Sequence, residues 1–393
     1  MTLRSPRDLR IDLLRGIALV MVFVNHAEDA SGAACLSRWT LRNWGPSDAA
    51  ELFILLSGLA VGRSCSARLE RERFSATLRH AWRRTFTLYL GLIFTAATMY
   101  GLARGLGVQH VSQLAASGQP VGTWPQVLWW FATLRGAPPV LQILGVYLCV
   151  LPLAPYVVAW LKRSFWPPLI VSAVVYTAVQ WLWWRASRRP EPSGNGWYFQ
   201  PGGWQLLYCL GLAAGVAWQR SAGNADASEG SRPRIRTYFI SICAAAVMIA
   251  GWWLRPEWTA ASESWLHELQ HAISNVWIRL VNKPTLGPLR LLHALAAAYL
   301  LWRLLPERWS FHLPLSLVPV AACGQRSLVV YCAGSVLTVV AAGGAARWGT
   351  DPLSILLLNL NCLLVLLLIG SWPRRSAATD QDSVRQAQFE RRA

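Results

Sequence analysis

Long apolar runs separated by short, Arg-rich polar joints repeat along nearly the whole chain. Runs of spanning length fall at roughly 11–28, 49–65, 86–103, 139–161, 166–184, 203–219, 236–254, 287–305, 324–346 and 352–372. The pattern predicts an all-α fold: a polytopic membrane helix bundle of about ten transmembrane helices. The first run is interrupted by Asp12, Arg15, Asn25 and His26. A cleaved signal has a short unbroken apolar core, so this run reads as a retained helix. Residues 1–373 read as one membrane domain, and 374–393 as a disordered cytoplasmic tail. Three further pieces stand out. Residues 66–84 read as a basic amphipathic helix. Residues 220–233 read as a flexible linker. The segment 255–286 reads as a loop with an interfacial helix, in which Trp265, Leu269, Ile273, Val276 and Leu280 recur at helical spacing.

Charge orients this bundle. Arg4, Arg7 and Arg10, the stretch 63–84, Lys162 and Arg163, the stretch 220–236, Arg303 and Arg308, and the Arg-bearing tail fall in alternate joints. The positive-inside rule then places both termini in the cytoplasm. The net charge of +18 has the same origin. The Arg clusters lie between apolar runs rather than along one polar face, and no nucleic-acid-binding motif is present, so nucleic acid is excluded as a partner. Charged residues make up only 14% of the chain, against about 25% in soluble domains, so lipid is the expected partner surface. The eight cysteines are scattered singly, which supports neither a zinc site nor a disulfide framework; no metal is expected.

Polar side chains inside apolar runs are where chemistry is expected, because a charge in the bilayer core costs several kcal/mol unless paired or wet. Asp12, Arg15, Leu19, Val22 and His26 share one face of the first helix, with His26 about 21 Å beyond Asp12 at the helical rise. Asp12 and Arg15 are placed to pair. The second helix opens with P-S-D-A-A-E: Ser47 is the expected N-cap, and Asp48 and Glu51 follow at His26's depth. Gly58 and Gly62 form G-x-x-x-G, which predicts close approach of the first helix. A His beside a carboxylate is a general-base arrangement, so His26 with Glu51 or Asp48 is the catalytic candidate; both acids also suit plain helix capping. Asn282, Lys283, Arg290 and His293 form a donor-rich patch suited to a carboxylate or a sugar. Arg79, Arg83 and Arg84 suit an acyl-CoA phosphate, but read more simply as topology determinants attracted to anionic lipid.

Five motifs carry a family resemblance: R-I-D-L-L-R-G-I-A-L-V-M-V-F-V-N-H (10–26), T-L-R-N-W-G-P-S-D-A-A-E-L-F-I-L-L-S-G (40–58), W-Q-L-L-Y-C-L-G (204–211), N-K-P-T-L-G-P-L-R-L-L-H (282–293) and C-G-Q-R-S-L-V-V-Y-C (323–332). In this order they resemble the OpgC family, relatives of the acyltransferase-three superfamily. Two positions depart from its pattern: Pro46 stands for the usual Phe, and L-G-V-Y (144–147) for L-P-L-Y. The resemblance implies a multi-pass protein of the bacterial inner membrane that succinylates periplasmic glucans. It implies an acyl-CoA-type donor, succinyl-CoA in the family's named activity, a periplasmic glycan acceptor, and no bound cofactor. By position it marks Arg10, Asp12, Arg15, His26, Asp48, Glu51, Lys283, Arg290 and His293. Asn25 and Arg290 are the oxyanion donors this scheme suggests. The other function class is a glycan or lipid transporter or export factor without chemistry, since buried Asp, Arg and His also suit a proton relay.

Overall fold

The computed structural model describes residues 8–32, 34–108, 124–133, 138–185, 198–223, 235–253, 277, 279–349 and 351–373. Among them every regular element is helical. In chain order these are α1 (Leu9–Ser31), α2 (Ala49–Arg71), α3 (Phe74–Leu106), α4 (Trp124–Ala132), α5 (Gln142–Val150), α6 (Ala154–Arg163), α7 (Trp166–Arg185), α8 (Pro201–Gly223), α9 (Ile235–Trp253), α10 (Pro288–Leu304), α11 (Val318–Gln325), α12 (Ser327–Trp348) and α13 (Pro352–Ser371). Four of these helices, α2, α3, α12 and α13, are long and apolar enough to cross a membrane, and α5 with α6 makes a fifth if the bent pair is one span. Outward-facing stripes agree: Trp82, Phe86, Leu90 and Phe94 recur every fourth residue along α3 and are all exposed. These are the surfaces of a membrane protein, whose outer face is solvated by lipid.

α1 carries too many charges to match the apolar helices, and it is placed accordingly. It lies inside, against α2, α11, α12 and α13. Gly16 of α1 and Gly324 of α11 let the two backbones touch: a Cβ on Gly324 would lie 1.8 Å from the Asp12 carbonyl oxygen. The G-x-x-x-G of α2 is used differently from the sequence expectation. Its close partner is α8 rather than α1, because α8 brings its own Gly211 and Gly215 to the same seam. A Cβ on Gly58 would meet the Tyr208 carbonyl at 2.4 Å, and one on Gly211 the Leu55 carbonyl at 2.3 Å.

Three other expectations change. The run 139–161 is broken: α5 and α6 meet at 51° across Leu151–Leu153, where Pro152 supplies no backbone N–H. The run 324–346 likewise divides at Arg326 into α11 and α12. Residues 66–84 are not one separate helix. α2 continues to Arg71, the chain turns at Glu72–Arg73, and α3 begins at Phe74, with Arg68 pairing to Glu72 at 3.2 Å. Of the 255–286 segment only Leu280 among the five periodic residues is described, and both the core of the 220–233 linker and the 374–393 tail lie outside the described residues.

Candidate functional site

The C-terminal end of α1 and the N-terminal end of α2 are tied by a network that begins at a buried acid. Glu28 is 0% exposed, and its carboxylate accepts the backbone N–H groups of Cys35 (3.1 Å), Leu36 (2.6 Å) and Ser37 (2.8 Å). This shapes the α1–α2 connection so that Thr40 Oγ1 donates to Asn25 Oδ1 at 2.6 Å. Asn25 Nδ2 then donates to Asp48 Oδ1 at 3.0 Å. Arg42 clamps Asp29 from outside with two bonds of 2.6 and 2.7 Å.

Asp48, not Ser47, is the N-cap of α2. Its carboxylate accepts the Ala49 N–H, and Glu51 reaches back to the Asp48 N–H at 2.8 Å, completing a capping box. The other Glu51 oxygen accepts from Arg290 at 2.7 Å, and Arg290 Nε donates to the Val281 carbonyl at 2.9 Å. Ser47 is free to meet His293 Nδ1 at 2.6 Å, while His293 Nε2 lies 3.3 Å from the Trp44 carbonyl. The imidazole fills the space where a side chain on Gly45 would stand: a Cβ there would lie 2.1 Å from Nε2. Glu51, Arg290 and His293 therefore form the wall behind the site rather than its lining. Asn282 joins them: its Oδ1 accepts from Thr285 N (2.9 Å) and Oγ1 (2.6 Å), and its Nδ2 donates to Arg279.

That Asn282–Gly287 turn delivers Lys283. Tyr176 Oη holds the Leu286 carbonyl at 2.8 Å, Gln180 Nε2 holds that of Thr285 at 2.7 Å, and Trp204 Nε1 donates to the Lys283 and Pro284 carbonyls at 3.1 Å. The clamp keeps Leu286 in the left-handed region at φ 59°, which costs a side-chain-bearing residue about 1–2 kcal/mol. Lys283 Nζ lies 2.8 Å from Asp48 Oδ2. Burial works against both charges. Asp48 and Glu51 nonetheless hold the Lys283 ammonium above its ordinary pKa, and the Lys283 charge and hydrogen bond draw the Asp48 carboxyl below the usual carboxylate range.

Asn25, His26, Asp48 and Lys283 line one small cavity of about 40 Å³, with Phe53 and Tyr331 among its walls. The His–carboxylate pair is not closed. The Asp48 oxygens are taken by Lys283, Asn25 and the helix cap, Glu51 turns to Arg290, and no hydrogen bond to the His26 ring forms among the described residues. His26 and Asp48 share the cavity wall instead. Arg10, Asp12 and Arg15 lie at the opposite end of α1. Arg10 pairs with the Asp8 cap at 2.8 Å and stacks on Trp302 at 4.3 Å. Asp12 and Arg15 line an open groove with Arg63 and Arg71. Arg15 also borders a second cavity of about 340 Å³, lined among others by His80, Arg83, Arg84, Phe53, Tyr147 and Tyr331.

Sequence reasoning missed Glu28 and the aromatic walls. Glu28 sits in the polar end of the first run, but its three backbone donors become neighbours only when the connection folds back. Tyr331 and Tyr147 lie within family motifs, where an aromatic residue in an apolar run reads as packing.

No curated protein and no solved structure matches the chain. The profile of the OpgC protein family matches residues 7–377. That match takes in every element from the α1 cap to α13, and the chain accordingly belongs to the OpgC family.

Proposed function

We propose that this protein is an integral membrane O-acyltransferase that passes an acyl group, succinyl in the first instance, from a cytoplasmic acyl-CoA-type donor to a hydroxyl of a periplasmic glucan or related glycan. The observation that carries this reading is the placement of His26 and Lys283 in an outer cavity that backs onto a larger inner cavity with a cationic mouth. About ten spans, both termini cytoplasmic, and a bacterial inner-membrane location complete the reading. Under it, the inner cavity opens to the cytoplasm and the outer one to the periplasm.

His80, Arg83 and Arg84 suit the phosphates of the donor, and the apolar inner walls suit its thioester arm. The acceptor hydroxyl enters beside His26. Its oxygen attacks the thioester carbonyl while His26 takes its proton, the ester C–O bond forms, the C–S bond breaks, and the proton leaves with the thiolate as the free thiol. Arg290 is turned to Glu51 and does not line the cavity, so Lys283 is the cationic group facing it to stabilise the oxyanion. Asp48 holds Lys283 and contributes its charge beside His26.

Purified protein in vesicles, given a thioester with a radiolabelled acyl group and a glucan acceptor, is the test. Label is expected to move to the glycan in wild type. Transfer falls by about 10³-fold or more in His26→Ala, with the protein still in the membrane. Undiminished transfer in that variant removes His26 from the chemistry. A pure exporter would leave all label on the donor.

A further inference from the structure

The inner and outer cavities meet at a small set of rings. Phe53 of α2 and Tyr331 of α12 line both cavities, so the same side chains close one and floor the other. Their rings stack with centroids 6.1 Å apart and planes 19° apart. Tyr147 of α5 meets Phe53 edge-on at 5.8 Å.

Both tyrosines are tethered, and both tethers converge on one short helix. Tyr147 Oη, on α5 itself, donates to the Phe53 carbonyl at 3.3 Å. Tyr331 Oη donates to the carbonyl of Val140, in the 3-10 turn that leads into α5. α5 has nine residues and ends at the bend around Pro152. It is a half-helix, free of the continuous hydrogen-bond ladder that makes a full span rigid.

The volumes make this division consequential. The outer cavity, about 40 Å³, is much smaller than the inner one. The inner cavity, about 340 Å³, is the roomier place for an acyl chain. A thioester held in the inner cavity therefore reaches His26 only if the rings move apart, and the gap they leave limits the size of the chain attached to the carbonyl.

Resting on the acyl-transfer reading of the same cavities, we propose that Phe53, Tyr147 and Tyr331 form an opening partition that determines acyl-group size. α5 is its moving wall, and the two tyrosine hydroxyls are its latches. A compact acyl group passes; a long or branched one is stopped at the rings.

The test needs no turnover. In a variant with all native cysteines replaced, Val61→Cys puts a thiol in the inner cavity. The protein is reconstituted in vesicles and exposed to a membrane-impermeant thiol reagent from the face that carries Lys283. Slow labelling is expected with the rings intact. Adding Phe53→Ala is expected to raise the rate about 10-fold or more, and Tyr147→Phe, which keeps the ring and drops its latch, about 3-fold, because each shifts the population toward the open state. Equal rates across the series overturn the partition, and Tyr147→Phe alone decides the matter if Phe53→Ala does not fold. In transfer assays Phe53→Ala is expected to shift preference from short to longer acyl thioesters. Unchanged preference overturns the size-limiting role. Adding His26→Ala is expected to leave the labelling rates unchanged while transfer is lost, so a failure of the partition and a failure of the chemistry give different results.

Discussion

Replacing Glu51 by Gln separates a catalytic carboxylate from a structural one. Glu51 is 0% exposed, with one oxygen 2.8 Å from the Asp48 N–H and the other 2.7 Å from Arg290. Gln keeps an oxygen for the helix cap, so the loss is that of the charge facing Arg290. The Arg290 side chain is only 13% exposed, and its remaining bond is from Nε to the Val281 carbonyl. Breaking a buried pair by removing one partner costs about 3–5 kcal/mol. The retained cap and the Val281 bond put this case near the lower end, about 3 kcal/mol, which is on the order of a 100-fold shift in the folding equilibrium. Unfolding in mixed detergent–denaturant micelles, followed by intrinsic Trp fluorescence, measures it. Arg290→Met in the same background removes the stranded cation, so the double variant should recover much of the loss. The protein that remains folded should still transfer acyl groups, because Glu51 does not face the cavity. Wild-type stability in Glu51→Gln, or a double variant no better than the single one, would refute this account of the pair.

Two further substitutions probe the layers on either side of Glu51. Glu28→Gln leaves one of three backbone donors short of an oxygen and weakens the others. It should cost about 2 kcal/mol in the same unfolding assay, since hydrogen bonds to a charged group are worth about 1.5–3 kcal/mol each and the amide retains part of them. Lys283→Met strands the Asp48 charge and should cost stability, on the order of 2–3 kcal/mol since Asp48 keeps its bonds to Asn25 and Ala49, and the folded protein should turn over about 10²-fold more slowly through loss of the cation at the cavity. Unchanged turnover number with raised KM in Lys283→Met would assign Lys283 to acceptor binding instead.

Periodicity and local chemistry make much of this protein legible from its sequence. Apolar runs located most helices to within a few residues, but proline or a local turn broke two of them, α3 starts well before its run, and α4 lies in none. The P-S-D-A-A-E segment marked the start of α2, though the cap is Asp48 rather than the expected Ser47, and Gly58-x-x-x-Gly62 marked a face that another backbone would touch. These signals are local, or depend only on the solvent each helix face requires. The identity of the touching helix was not local, since it depended on a matching pair of glycines in α8. The same limit governed the site. His26, Asp48 and Lys283 were all marked as polar groups at one depth, but depth does not determine which charge neutralises which. Lys283 reaches Asp48 across 235 residues of sequence, and Arg290 reaches Glu51 across 239. Those pairings arise from the rotation of α10 and from a turn clamped by α7 and α8. The two cavities and the rings between them likewise arise only when α1, α2, α5 and α12 pack together, because a cavity belongs to no single stretch of chain.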